Sequence, residues 1–464
     1  MVIRLKKPFS GTIERTERSG VDPQQLLWLL LLGIAYLLRD LAKLPMPDIV
    51  FTTLCATAFL FLSTGSAMGV YMFTSALTVP DFEIRFVYLG VLVVKCILQR
   101  KKLSTGMILI VLGLTLLEMV NMMLFSTQGV VSVLYTVAMR LTYFALPLFW
   151  FSENYSKEDY RRALLCYVAG VVLGGFTILW MTVDTIGWEL LLNHADFRLG
   201  KGHALGYETQ SAMLTTYNSN QLAVMFAIVT AIVISLMDKK RITKWVGVLM
   251  IAFSVFMVFL TKSRTGILLL VGIAVIYYWV LIIQRKKILS GLVFFFVMAL
   301  IIVAFVTWFP DIVKNTLDRF RDEDITNGRN QLFAQYISAW LAAPWGMLFG
   351  YGVGSFLGVV AVSNSPHSAI TDILISWGIT GAILILCVWT AMLRKSARTQ
   401  NKRDYLTAYL PAIIAMVCAL TEQYLTTGYP HMRLCFLILA AAAFSRQIGM
   451  PGQKAQSIID GNPR

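Results

Sequence analysis

The chain has 464 residues, of which 57% are hydrophobic and 14% are charged, and its mean hydropathy is +0.70. Soluble domains carry roughly a quarter charged residues, so this composition excludes a soluble protein and predicts a polytopic membrane protein. The 40 Lys and Arg outnumber the 25 Asp and Glu, which gives a net charge of +15. In a membrane protein such an excess is typical of cytoplasmic loops. No RNA-binding motif or zinc spacing accompanies it, so nucleic acid is not an expected partner.

Residues 1–23 are basic and polar, which predicts a cytoplasmic tail rather than a signal peptide. Apolar runs then follow, and a spanning helix needs about 20 residues of this kind. They cover residues 24–38, 48–63, 66–79, 84–98, 105–125, 131–151, 163–184, 217–237, 244–261, 265–283, 288–309, 370–393, 406–425 and 432–447. Because the first four runs are short, we predict an all-α fold of about 12–14 transmembrane helices.

Basic clusters fall on one side of the predicted membrane, and this side is assigned to the cytoplasm. They include residues 4–7, 100–102, 157–162, 239–241, 285–287 and 394–403. The predicted organisation is therefore transmembrane helices over 24–309 and 370–447, separated by an extracytoplasmic loop over 310–369. Residues 448–464 form a second cytoplasmic tail. The other substantial outer loop, 185–216, carries His194, Arg198 and His203, and we expect one of these to contact substrate.

Three cationic or protonatable residues stand at predicted helix starts on the outer side. Arg264 follows Ser263, a typical N-cap, and Arg329 precedes an amphipathic helix over 330–342. His367 follows a Ser-Pro pair that opens the next membrane helix. A cation at a helix N-terminus opposes the macrodipole, whereas an anion there is stabilised by dipole and free amides together. The pattern therefore predicts a site for a phosphate or diphosphate, with a neutral His367 able to accept a proton.

Other residues near these helix starts complete the predicted substrate site. They are Ser263, Lys262, Asn330, Gly352, Ser368 and Glu422. Glu422 lies near the outer end of its span and is an alternative acid or base. The glycines at 350, 352 and 354 predict a turn, since no strand precedes them.

Each of the three residues also has a structural interpretation, which remains open at this point. Arg264 can snorkel to the membrane interface. Arg329 can pair with one of the acidic residues at 322–324, and a lone histidine such as His367 is more often structural than catalytic. Within the membrane, Glu118 and Arg140 lie at comparable depth in consecutive spans. Because buried charges are costly unless paired, we predict that they form a structural ion pair.

Five motifs occur in a fixed order over the second half of the chain. They are residues 263–264 (SR), 328–333 (GRNQLF), 350–356 (GYGVGSF), 366–368 (PHS) and 377–381 (WGITG). Their order and spacing resemble the O-antigen ligase and polymerase family of bacterial membrane glycosyltransferases. The resemblance covers residues 250–395. The chain departs from the family pattern at Ser368, where asparagine is frequent, and in its fourteen apolar runs, where twelve spans are common.

The resemblance implies a metal-independent, inverting transfer of a glycan from undecaprenyl diphosphate to an acceptor hydroxyl. Arg264 and Arg329 would bind the diphosphate, and His367 would activate or orient the acceptor hydroxyl. No cofactor is implied. The expected location is the bacterial cytoplasmic membrane, with the active site on its outer face and with the glycan donor, a glycan or lipid-linked acceptor and membrane lipids as partners.

Two further functions compete with a polymerase of surface polysaccharide. One is an O-antigen ligase that transfers the glycan to lipid A core, which differs only in the acceptor. The other is a lipid-linked oligosaccharide flippase, which is also basic and polytopic. A flippase is expected to show two related halves and short outer loops, whereas this sequence shows no halves and places its polar residues in long outer loops. These features favour an enzyme.

Overall fold

The computed structural model describes residues 22–42, 44, 46–77, 81–126, 129–193, 197–200, 219–284, 286–321, 329–353, 368–400, 405–419 and 429–445. Within these residues the chain forms seventeen α-helices and no strand.

The first eleven helices precede the long outer loop. They are α1 (Pro23–Asp40), α2 (Asp48–Phe61), α3 (Thr64–Thr74), α4 (Asp81–Leu98), α5 (Thr105–Phe125), α6 (Val130–Ser152), α7 (Lys157–Asn193), α8 (Ser219–Asp238), α9 (Lys244–Leu260), α10 (Arg264–Trp279) and α11 (Ile288–Trp308). A π-helical turn, Val280–Gln284, extends α10. Three helices follow in the loop, α12 (Pro310–Arg321), α13 (Arg329–Leu341) and α14 (Pro344–Phe349). The last are α15 (Ala369–Ala397), α16 (Tyr405–Ala419) and α17 (Tyr429–Ala440), which ends in the 3₁₀ turn Ala441–Phe444.

The helices confirm an all-α, polytopic membrane protein. By length and hydropathy, six of the described helices can cross a membrane, and they are Thr105–Phe125, Val130–Ser152, Lys157–Asn193, Ser219–Asp238, Arg264–Ile283 and Ala369–Ala397. Four shorter apolar helices accompany them, Asp48–Phe61, Lys244–Leu260, Tyr405–Ala419 and His431–Phe444. Each predicted apolar run coincides with a helix, because an uninterrupted apolar stretch in lipid must satisfy its backbone internally.

One hydrophobic core joins most of the helices, and within it α3 and α7 cross at close range. A Cβ atom built on Gly170 would lie 2.3 Å from the Phe73 carbonyl oxygen, and one on Gly174 would lie 3.0 Å from that of Ala76. Small residues spaced four apart let two helix backbones approach in this way inside a membrane. The short α3 is therefore held by close packing of its backbone against the backbone of α7.

The loops depart from the predicted boundaries in two places. The predicted loop at 185–216 begins later, since α7 continues past a non-helical Gly187 to Asn193. The loop at 310–369 contains the predicted amphipathic helix as α13. It also contains α12, which was not predicted because its sequence is rich in charged residues. Ile312 on α12 is only 1% exposed, so the helix buries an apolar face.

Candidate functional site

The turn between α9 and α10 is built around Ser263. Its hydroxyl accepts a hydrogen bond from the backbone N–H of Gly266 at 3.3 Å and donates to Oδ1 of Asn220 on α8 at 2.7 Å. This confirms the predicted N-cap and fixes the start of α10 against α8. Arg264 is the first residue of α10 and is half-buried. It therefore begins the helix from an anchored turn, and its contact with a phosphate or diphosphate stays a prediction.

Lys262, in the same turn, points into the protein. It adopts a left-handed backbone conformation with φ of 48° and is 0% exposed. Its ammonium donates to the carbonyl oxygen of Leu191 near the end of α7 at 2.9 Å. The backbone N–H of Leu199 also donates to the carbonyl of Leu260 at 3.1 Å. Lys262 thus ties the turn to the end of α7, and a contact between its ammonium and substrate remains a prediction.

Replacing Lys262 with methionine is expected to destabilise the fold by about 1–3 kcal/mol, because it leaves the buried Leu191 carbonyl without its donor. Thermal unfolding of the purified protein in detergent measures this effect. Lys287→Met, at an exposed lysine, serves as the control and should leave the midpoint unchanged. Equal midpoints for both variants would contradict the anchoring role.

The glycine-rich segment after α14 pairs with a break in α15. Gly378 has a φ of 62° and a ψ of −164°, which interrupts the helical hydrogen-bond ladder. The backbone N–H of Tyr351 donates to the carbonyl of Ile375, and that of Gly352 donates to the carbonyl of Ser376, both at 2.8 Å. The loop therefore supplies partners to carbonyls just before the break, as buried backbone groups require. Gly350 and Gly352 therefore lie in a non-helical segment, as predicted, and this segment pairs with the residues directly before the motif at 377–381, while Gly354 lies outside the described residues.

Glycine is required where the two backbones meet. A Cβ atom on Gly350, with φ of 76°, would lie 2.3 Å from the backbone carbon of Ser376. A Cβ atom on Gly378 would lie 2.4 Å from the backbone carbon of Leu348. Both glycines also occupy a region of φ and ψ that is essentially restricted to glycine. We call residues 348–353 with 375–378 the glycine junction.

Asn121 on α5 clamps this junction from the side. Its Nδ2 atom donates to the carbonyl of Phe349 at 2.6 Å, and its Oδ1 atom accepts from Nε1 of Trp345 at 3.2 Å. Asn121 itself is 0% exposed, so its amide group depends on these protein partners. A buried amide that both donates and accepts a hydrogen bond restricts the orientation of the two groups that it joins.

Glu118, one turn earlier, holds the next part of the junction. Its carboxylate accepts from the backbone N–H of Val353 at 3.2 Å and from Nε1 of Trp377. The predicted partner, Arg140, acts on Glu118 through its charge and acts in the same way on Asp372. The direct hydrogen bonds of Glu118 therefore go to the loop and to α15, which the ion-pair prediction did not anticipate.

Asn121→Leu is expected to lower stability by about 1–3 kcal/mol, since it leaves the Phe349 carbonyl and the Trp345 indole N–H unpaired. Any activity that depends on the glycine junction should fall with it, because the junction loses its lateral support. Thr115→Val, on the same helix, removes a hydroxyl that bonds only to its own helix at Val111 and should change little. Wild-type stability and activity in Asn121→Leu would show that the clamp is dispensable.

Asp372 was missed in the sequence. It lies in the first turn of α15, is 0% exposed, and receives only a long hydrogen bond, 3.4 Å, from the Ser376 hydroxyl. Its Oδ2 atom has no hydrogen-bond partner among the described residues. Burial, helped by the nearby Asp372 charge, raises the pKa of Tyr336 on α13 to about 12, so this phenol stays protonated at physiological pH. An acid at the start of an apolar run, one turn after the Pro-His-Ser motif, was the available signal.

Two arginines lie close to one aromatic ring, Arg85, which is buried, and Arg140, which is half-buried. The guanidinium carbon of Arg85 on α4 lies 4.0 Å from the centroid of the Tyr143 ring, and that of Arg140 lies 5.7 Å from it. Arg85 is 1% exposed and was not selected from the sequence. Its position at the edge of a predicted span, where a charge is costly, was the signal for it.

Several of the other predicted site residues lie wholly or partly outside the described part of the structure. His367, Glu422, His194 and His203 lie outside the described residues. Arg329 begins α13, but its side chain is outside the described part of the structure.

Asn330 is exposed on α13, and Ser368 occupies the N-cap position of α15 without a side-chain capping bond. The contacts therefore unite Gly352 with α15, while Ser263 and Lys262 belong to the turn before α10.

Tyr336, Tyr351 and Ile375 form a small buried cluster that packs α13, the loop and α15 together. The helix that begins at Arg329 and the helix that begins after Ser368 thus share one support. Burial also raises the pKa of Tyr351, whose hydroxyl donates to the carbonyl of Ala339 on α13 at 3.3 Å.

Residues 248–386 match the family model described as O-antigen ligase. The matched segment contains the turn before α10, the start of α13 and the glycine junction. It confirms the resemblance that the sequence motifs predicted, and it supports a membrane glycosyltransferase of the O-antigen ligase and polymerase type. No curated protein and no solved structure matches the chain.

Proposed function

We propose that this multi-pass membrane protein, with its O-antigen ligase domain at residues 248–386, polymerises undecaprenyl-diphosphate-linked oligosaccharide repeats into a surface polysaccharide. Its active site would lie on the extracytoplasmic face of the bacterial cytoplasmic membrane. The glycan chain would be an O-antigen, a capsule or an exopolysaccharide.

The observation that supports this proposal best is the glycine junction. Tyr351 and Gly352, in one motif that carries the family resemblance, donate backbone hydrogen bonds to Ile375 and Ser376, directly before the motif at 377–381, and Gly378 of that motif packs against the backbone of Leu348. Because the motif at 366–368 lies in the chain between these two motifs, the junction limits where the Pro-His-Ser segment can reach. The shared cluster at Tyr336 links the same unit to the helix that begins at Arg329.

The proposed reaction is a single displacement. The acceptor hydroxyl attacks the anomeric carbon of the donor from the face opposite the diphosphate. A bond forms between the acceptor oxygen and this carbon, the bond between the carbon and the diphosphate oxygen breaks, and the lipid diphosphate leaves with the electron pair. The hydroxyl proton passes to neutral His367, and the anomeric configuration inverts. Such general-base assistance contributes about 10²–10⁴-fold to the rate.

Charge stabilisation replaces acid catalysis in this scheme. A diphosphate is a good leaving group and needs no proton, but negative charge grows on it in the transition state. Arg264 and Arg329, at two helix starts, would meet that charge together with the free amides of the first helical turns. Because cations and amides fixed in advance supply the stabilisation, the proposed step uses no metal ion.

A reconstitution experiment tests the proposal. The full-length protein in liposomes receives an undecaprenyl-diphosphate-linked repeat as its sole glycan, with EDTA present. A ladder of longer lipid-linked glycans, with release of undecaprenyl diphosphate, is the expected result. A requirement for added divalent metal would refute the mechanism.

Two other outcomes would assign a different function. Product that appears only when lipid A core is added would identify a ligase. Movement of intact lipid-linked glycan across the bilayer, without new glycosidic bonds, would identify a flippase and refute the enzyme.

A further inference from the structure

A cavity of about 500 Å³ opens where the start of α5, the end of α6 and the end of α15 meet. It lies at the opposite end of α15 from the Ser368 N-cap and the glycine junction. Its lining includes four cations, Lys102, Arg394, Lys395 and Arg398. None of its described lining residues is acidic. Cations held together around one cavity repel each other, so this cavity favours an anion.

One of the four cations is already used within the protein. The ammonium of Lys395 donates to the carbonyl oxygens of Phe151 and, at 2.8 Å, of Glu153. The Glu153 carboxylate pairs with Lys101, outside this cavity.

The side chains of the other three cations, Lys102, Arg394 and Arg398, have no hydrogen bond or ion pair to protein within the part of the chain that the structure describes. They supply charge that protein groups do not neutralise.

The start of α5 adds to the positive potential. Ser104 lines the cavity at the N-cap position of α5, and its side chain makes no capping hydrogen bond. Its own N–H donates to the hydroxyl of Ser152 at 3.1 Å, which fixes the turn. The free amides of the first turn and the positive end of the helix dipole therefore lie beside the cations.

An exposed apolar surface leads away from the cavity along both helices. On α15, Ile383, Cys387 and Thr390 precede Arg394 and Arg398 at intervals of three to four residues, and all five side chains are exposed. On α5 the exposed residues at the same kind of spacing are Leu109, Leu112 and Leu116. In a membrane protein such a surface contacts acyl chains. Basic pockets that adjoin lipid-facing helices are typical sites for anionic headgroups.

We propose that this cavity binds the phosphate headgroup of an anionic glycerophospholipid, whose acyl chains lie along the exposed faces of α5 and α15. Arg394 and Arg398 contact the phosphate oxygens through their guanidinium groups, and Lys102 contacts them through its ammonium. The site is separate from the proposed glycan-transfer site and does not require it.

Native mass spectrometry of the purified full-length protein tests the site, with phosphatidylglycerol titrated against phosphatidylcholine. The test variant combines Lys102→Gln, Arg394→Gln and Arg398→Gln. The control variant removes the same charge at exposed positions outside the cavity, with Arg241→Gln, Lys244→Gln and Lys287→Gln. We expect the test variant to bind phosphatidylglycerol at least about tenfold more weakly than wild type and the control to bind it equally well.

Three results would overturn the proposal. Equal losses in the test and control variants would indicate general attraction to a basic surface. Unchanged binding in the test variant would show that phosphatidylglycerol does not bind in this cavity. Binding of radiolabelled inorganic phosphate that depends on the three cations, without selectivity for phosphatidylglycerol, would assign the cavity to a free anion. If the triple variant does not remain monodisperse, Arg398→Gln alone is compared with Arg241→Gln, and equal affinities again overturn the proposal.

Discussion

Alanine at Arg264, Arg329 or His367 is expected to slow glycan elongation strongly while leaving the protein folded and inserted in the membrane. Loss of one preorganised donor to a developing oxyanion lowers kcat by about 10²–10³-fold, and we expect this for Arg264→Ala and for Arg329→Ala. Loss of the general base in His367→Ala should lower kcat by about 10²–10⁴-fold. Single-turnover conversion of lipid-linked repeats in liposomes measures each rate.

The roles can be separated by the conservative variants. Lysine at Arg264 or Arg329 keeps the charge but loses the bidentate geometry, so partial activity is expected, above that of alanine. The activity of His367→Gln should stay low, since a glutamine side chain cannot accept the proton. Exposed Arg241→Ala provides the control for loss of a cation elsewhere. Wild-type rates in all three alanine variants would refute the site.

Helix positions were predictable because they depend on local composition. An apolar stretch of sufficient length has one stable form in lipid, so each predicted run was found as a helix. The N-cap at Ser263 was also predictable, since capping is decided within four residues. The continuation of α7 to Asn193 was not, because the chain passes through a non-helical Gly187 and then resumes the helix beyond the predicted apolar run.

The site was less predictable because its contacts join residues distant in sequence. The turn at 350–354 could be predicted from its glycines, but its partner could not, since the break at Gly378 is identified only by what packs against it. Lys262 was predicted to line the substrate site, and its hydrogen bond to the Leu191 carbonyl, formed across 71 residues of sequence, could not be predicted. Asp372 resembled an ordinary first-turn acid, and only the structure shows its burial and its unpartnered oxygen.

Gly378→Ala is expected to abolish glycan transfer and to destabilise the protein strongly. A residue with a Cβ atom at this φ and ψ costs about 1–3 kcal/mol in backbone strain alone. In addition, the new methyl group would meet the backbone of Leu348 at 2.4 Å, and two packed backbones have no soft side chain that could yield. The loop must then separate from α15, which removes the Tyr351 and Gly352 donors from the carbonyls of Ile375 and Ser376. Thermal unfolding and elongation rate are the two measurements.

Gly187→Ala is the matched control, because it separates strain from collision. Gly187 has a φ of 78° and a ψ of 161°, but no heavy atom lies within 4 Å of its Cβ position. The stability of the variant should therefore fall by only about 1–3 kcal/mol, through backbone strain alone, and transfer activity should be retained. Gly272→Ala, in α10 with equally open space, has neither cost and should be neutral or slightly stabilising. If Gly378→Ala behaves like Gly187→Ala, close contact at the glycine junction does not matter for transfer, and the support proposed for the Pro-His-Ser segment must come from elsewhere.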